Sequence, residues 1–132
     1  MTVSINYLAK RNYRLSEQEK EMVNSVITRY AIKNILKTDW RGENFSIYDY
    51  DDLTFPSVLQ GSTGIGSYPD DYEREIEEVV RWCYCLSEIR SIVKNSTWKV
   101  TFGDELVEYN DKIGFHLKNI PRSLHEELKP DV

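Results

Sequence analysis

The stretch Pro69–Val93, PDDYEREIEEVVRWCYCLSEIRSIV, decides the fold class. Tyr72, Ile76, Val79, Val80 and Cys83 recur at helical spacing, and Leu86, Ile89, Ile92 and Val93 continue the stripe. One side of a long helix is therefore apolar and must find a core. Pro69 suits a first helical turn, where its missing N–H is no loss, and Asp70, Asp71 and Glu73 complement the positive end of the dipole. The pattern predicts a helix over 69–94. Upstream, Ser16 and Glu19 have the spacing of a capping box, in which hydroxyl and carboxylate satisfy orphan backbone donors. Met22, Val23, Val26, Ile27, Tyr30 and Ala31 then form a second stripe. A helix over 16–37 follows, ending before Asp39-Trp40-Arg41-Gly42.

Strands fill the remainder. Val3, Ile5 and Tyr7 alternate with Thr2, Ser4 and Asn6, a period-2 pattern over Val3–Leu8. Phe45–Tyr50 and Leu53–Leu59 read as two strands joined by Asp51-Asp52. Pro56 cannot donate to a ladder, so the second is expected at an edge or a bulge. Gln60–Ser67, with Gly61, Gly64 and Gly66, reads as a flexible connection. Beyond Asn95, Trp98, Val100 and Phe102 alternate with Lys99 and Thr101, Leu106–Tyr109 returns, and Ile113, Phe115 and Leu117 alternate again, as in a meander. The tail 119–132 is polar, with a short helix expected at Ser123–Leu128. The order β-α-β-β-α-β-β-β implies an α+β two-layer sandwich. Two long helices would lie on one face of a mainly antiparallel sheet of about five or six strands.

At 132 residues the chain reads as one domain, 1–132. Charge is uneven: Gly42–Val80 holds ten carboxylates against Arg74 alone, although the whole chain carries only −5. Uneven charge steers partners rather than setting a fold. The N-terminal residues lack the basic-then-apolar pattern of a secretory signal, and no apolar run approaches the roughly 20 residues that span a bilayer. A cytoplasmic protein without membrane contact is expected. Cys83 and Cys85 flank Tyr84; on a helix, residues two apart point away from one another, so structural thiols are expected rather than a disulfide.

No motif assembles a catalytic or metal centre. GSTGIGS (61–67) lacks the Gly-Lys-Ser/Thr ending of a P-loop and is not GxGxxG. Ser62 and Thr63 have no GxSxG setting. His116 alternates off the apolar face of its strand, and His125 lies in the polar tail. Asp49, Asp51 and Asp52 lack the length and turn glycine of a calcium loop. The expectation is no enzyme, no cofactor and no metal. Nucleic acid is disfavoured because the acidic third would repel phosphate. The basic residues Lys10, Arg11 and Arg14 are expected to partner the protein's own acids.

Tyrosines punctuate the acids, and exposed tyrosine gives rigid amphipathic contact area. The expected partner-binding residues are Tyr48, Asp49, Tyr50, Asp51, Asp52, Asp70, Asp71 and Glu73. In size, charge and texture, carried by FSIYDYDD, FPSVLQGSTGIGS and PDDYEREIEEVVRWCYCL, the chain resembles the immunity proteins of bacterial toxin systems, including contact-dependent growth inhibition. The resemblance implies a small acidic α+β protein that neutralises one cognate toxin domain, often a nuclease. The alternatives are a small enzyme or ligand-binding domain using the Gly61–Ser67 loop, and a self-associating regulatory subunit.

Overall fold

The structure, a computed structural model, describes residues 3–35 and 39–132. Its elements run β1 (Val3–Lys10), α1 (Glu17–Tyr30), β2 (Ser57–Ile65), α2 (Tyr72–Ile92), β3 (Thr97–Phe102), β4 (Glu105–Leu106), β5 (Glu108–Asn110), β6 (Gly114–His116) and α3 (Arg122–Glu127). The fold is α+β. Four antiparallel strands form one sheet in the order β2-β1-β3-β4, and β5 and β6 form a separate antiparallel pair. The central place of β1 follows from its alternation. Ile5, Tyr7 and Ala9 are buried towards the helices while Asn6 and Lys10 are exposed, so both neighbours can pair without disturbing the buried face.

The second strand corrects the sequence reading. Residues 45–49 are irregular, Asp51-Asp52 belongs to a 3-10 turn, Tyr50–Asp52, and Pro56 precedes a strand that begins at Ser57. That strand runs through the glycines: Tyr7 sits opposite Gly61, Ile5 opposite Thr63 and Val3 opposite Ile65. Leu59, Gly61, Thr63 and Ile65 are buried and Gln60, Ser62 and Gly64 less so, a period of two that the glycines disguise. Gly61 is required by close approach. A Cβ there would lie 2.5 Å from the Ser46 carbonyl oxygen and collide with the Tyr7 ring. Residues 43–48 run along the outer edge of β2, with Glu43 N donating to Gly64 O (2.9 Å) and Tyr48 N to Gln60 O (2.8 Å). These bonds close an edge that would otherwise offer unpaired groups to another chain.

The capping box is present: Ser16 Oγ accepts from Glu19 N (3.1 Å) and Glu19 Oε1 accepts from Ser16 N (2.8 Å). The regular helix ends at Tyr30 and a 3-10 turn occupies Ile32–Asn34, while the expected end near Lys37 lies outside the described residues. Val23, Val26 and Tyr30 face the core, but Met22 is exposed. Helix α2 is the hub. Every residue from Glu78 to Cys83 is buried, as are Cys85, Leu86 and Ile89. A helix buried all round its middle is packed on several sides. Here α1, β2 and β6 all contact it, and Tyr84 O–H reaches the His125 carbonyl at the start of the tail (3.1 Å). No described helix is long and apolar enough to cross a membrane.

Candidate partner-binding surface

The acids of the middle third separate into three groups, by the donors they meet. The first is the segment Tyr48–Asp52. Its backbone is fixed at one end by the Tyr48–Gln60 bond, and Asp49 caps the following turn by accepting from Asp51 N (3.0 Å). Asp49, Asp51 and Asp52 are exposed, and Tyr48 keeps 48% of its surface open. Tyr50 behaves otherwise. In a 3-10 turn the strand alternation no longer applies, and its ring packs on the core beside Lys20, 5.0 Å from the ring centre. Its hydroxyl is buried without a partner, and burial pushes its pKa up to about 12. Arg14, Lys20 and Asp51 line one cavity, so cations flank this acidic segment on the α1 side.

The second group is the entrance to α2. Asp70, Asp71 and Glu73 are exposed. Tyr72, which helical spacing assigns to the apolar stripe, is instead 71% exposed. Arg74 beside them is engaged by Asp39 and by Glu77 (3.5 Å). The two groups are not contiguous. Tyr48–Asp52 lies along the Ser57–Gln60 half of β2 and Asp70–Glu73 beyond Ile65. From Gln60, opposite Tyr48, to Ile65 the strand rises about 17 Å at about 3.3 Å per residue. A standard interface covers about 800 Å² per partner, a patch about 32 Å across, which exceeds that separation.

The third group has been drawn into the fold. Glu78 is 0% exposed and accepts from Gly66 N (2.9 Å), Gly42 N (3.3 Å) and the Tyr68 hydroxyl, which itself accepts from Arg41 N (2.7 Å). Burying a carboxylate is tolerable because those donors replace water. The glycines make room for it: a Cβ on Gly66 would lie 2.9 Å from Glu78 Oε2 and 2.7 Å from the Arg41 Cβ. Glu43, though exposed, also accepts from a glycine amide of this stretch, Gly64 N (2.6 Å). The glycine-rich stretch is thus a strand end that holds the protein's own carboxylates, and the phosphate-loop and flexible-loop readings both fall away.

The remaining chemistry-bearing side chains also have structural occupations. Thr63 is fully buried with its hydroxyl 2.7 Å from the Tyr7 hydroxyl, and Ser62 donates to Asn6 Oδ1 (2.7 Å). Cys83 and Cys85 are free and buried, and desolvation pushes the Cys83 thiol up to about 12 and the Cys85 thiol upward. His125 is 2% exposed rather than loose in a polar tail; it stacks on Tyr84 at 4.7 Å, and burial lowers its pKa. Arg11 forms a bidentate pair with Glu19, at 2.7 and 2.9 Å. The Arg11 hydrogen bonds hold the Glu19 carboxyl near 2. Among the described residues no three of His, Cys, Asp and Glu come together as metal ligands.

Tyr72 is the exposed tyrosine that the sequence conceals: it occupies a stripe position, yet opens the helix before the core begins. No protein-family model, curated protein or solved structure matches this chain.

Proposed function

We propose that the chain is an immunity protein, which binds a cognate bacterial toxin domain, a basic nuclease in the simplest case, and masks its cationic surface without catalysis. One observation carries this reading: an exposed tyrosine twice stands among exposed carboxylates, Tyr48 with Asp49, Asp51 and Asp52 beside the middle of β2, and Tyr72 with Asp70, Asp71 and Glu73 beyond its end. Carboxylates at the rim of a contact accelerate encounter with a basic partner, while a tyrosine buried on binding slows release. Pinning by Tyr48 N, Asp49 and β2 lowers the ordering cost of the first group. In this reading the encounter takes place in the cytoplasm, before the toxin reaches its substrate.

Co-expression tests the reading. A basic toxin domain encoded beside this chain should arrest growth alone and lose that effect when the chain is supplied, and the two purified proteins should elute as one complex. Arrest that persists at full expression of the chain, with no complex formed, would contradict the proposal.

A further inference from the structure

Two arginines with very different surroundings lie inside the described chain. Arg11 uses its whole guanidinium: Nε donates to Tyr13 O (2.8 Å), Nη1 to Glu19 Oε2 (2.9 Å) and Lys94 O (3.1 Å), and Nη2 to Glu19 Oε1 (2.7 Å) and Arg14 O (3.0 Å). Arg81, on α2, is 8% exposed and donates only from Nε, to Tyr30 O (2.9 Å). Its Nη2 is buried with no partner. Ring faces surround it, with Tyr30, Trp82 and Trp40 centred 5.6, 5.7 and 5.9 Å from Cζ, and the Glu77 carboxylate acts on it electrostatically. Glu77, one turn back on the helix, reaches Arg74. Buried N–H groups left unpaired cost free energy, and a buried cation without a hydrogen-bonded anion costs more. Among the described residues, Nη2 has no acceptor.

That missing acceptor has a place to come from. Arg81 and Trp40 line a cavity of about 510 Å³, within the range of about 300–1,000 Å³ that small-molecule sites occupy. The Trp40 indole N–H is likewise buried without a partner. Ile35, Leu128 and Pro130 supply apolar wall, while Glu77, Glu127 and Asp131 add negative charge and Lys129 positive charge.

We propose that this cavity binds an organic monocarboxylate with an apolar body, its oxygens taken by the Arg81 Nη groups and the Trp40 indole N–H. The planar fork of a guanidinium matches a carboxylate, and both donors are already shielded from bulk water, so little further desolvation opposes the contact. Glu77, Glu127 and Asp131 oppose a dianion such as phosphate more strongly than a monoanion. The apolar wall selects a ligand with a hydrophobic side group over acetate. The carboxylate can belong to a free organic acid or to the end of a peptide chain.

The test is an NMR titration of the intact protein that follows the Trp40 Nε1–H and Arg81 Nε–H resonances. The probes are phenylacetate, N-acetylglycylleucine, phenylacetamide and inorganic phosphate. Both carboxylates should give saturable shifts at the two resonances. Phenylacetamide should bind about tenfold more weakly or less, the loss of one charge-assisted contact, and phosphate should not saturate. Tighter binding of phenylacetate supports the site and assigns it to a free acid; tighter binding of the dipeptide supports it and assigns it to a chain end. Trp40→Phe keeps the ring and should weaken phenylacetate severalfold, while Arg81→Gln should abolish saturation. Equal responses to phenylacetate and phenylacetamide, saturation by phosphate, or no saturable shift with either carboxylate overturns the proposal on the unmodified protein, whatever the variants' folding.

Discussion

Glu78 and Asp51 lie in the same acidic third of the chain, and the fold uses them in opposite ways. Glu78 is enclosed and collects donors from Gly66, Gly42 and Tyr68. Asp51 stands exposed at the end of a capped turn, with its side chain free to meet a partner. A run of negative charge in a sequence therefore does not report a surface. What separates the two residues is the supply of N–H and O–H groups around each. Donors lock α2 to the end of β2 through Glu78, and none of comparable number surrounds Asp51. The acidic run is part framework and part exposed surface.

The largest effect should come from the framework side. Glu78→Ala leaves the Gly66 and Gly42 amides and the Tyr68 hydroxyl without their acceptor, at about 1–3 kcal/mol for each buried group left unpaired. A loss of about 4 kcal/mol is expected in urea unfolding, enough to threaten the fold of a marginally stable domain. An unchanged midpoint would erase the distinction between the two kinds of acid. Gly61→Val comes next, because the added side chain meets Ser46 O and the Tyr7 ring and would push residues 43–48 off the edge of β2. About 2–3 kcal/mol of destabilisation is expected, in the range for an overpacked interior. Wild-type stability in this variant would mean that the glycines do not secure the edge.

A pH series sharpens the same contrast through a carboxylate outside the run. Arg11 hydrogen bonds hold the folded Glu19 carboxyl near 2, below its unfolded value. A depressed folded pKa stabilises above the unfolded value and the benefit is lost as pH falls towards the folded one. The melting temperature should therefore drop between about pH 5 and about pH 2, and Glu19→Gln should flatten part of that drop. Asp51→Asn with Asp52→Asn removes two carboxylates of the exposed segment instead. Smallest of all should be the effect of that double substitution on stability, within about 0.5 kcal/mol, as for exposed residues in general. A larger loss would place these acids in the framework as well.

The helices were readable because their signals are local. Ser16 and Glu19 are three residues apart, and the stripes of Val23, Val26 and Val79, Cys83, Leu86 repeat within a few turns. β1 was readable by its alternation. β2 was not, since Gly61 and Gly64 remove the side chains by which alternation is recognised, and their reasons, the Tyr7 ring and the Glu43 carboxylate, are remote in sequence. The acids of the contact surface were legible as a group, but their division was not. That division depends on backbone amides at Gly42 and Gly66, which carry no mark in the sequence. Tyr50 and Tyr72 exchanged expected positions because a 3-10 turn replaced a strand at one and the helix opened before its packed stretch at the other.

The most direct measurement is the association rate with the cognate toxin domain, taken across a range of salt concentrations. It should compare wild type with a folded variant carrying Asp49→Asn, Asp51→Asn, Asp52→Asn, Asp70→Asn, Asp71→Asn and Glu73→Gln. The account predicts slower association and a much shallower salt dependence in the variant, with little change in dissociation, because rim charges steer encounter. Tyr48→Ala and Tyr72→Ala should do the reverse, leaving association intact and speeding release, by about 2 kcal/mol at a hot spot. Unchanged rates and an unchanged salt slope in the neutralised variant would contradict the assignment of these two groups as the contact surface.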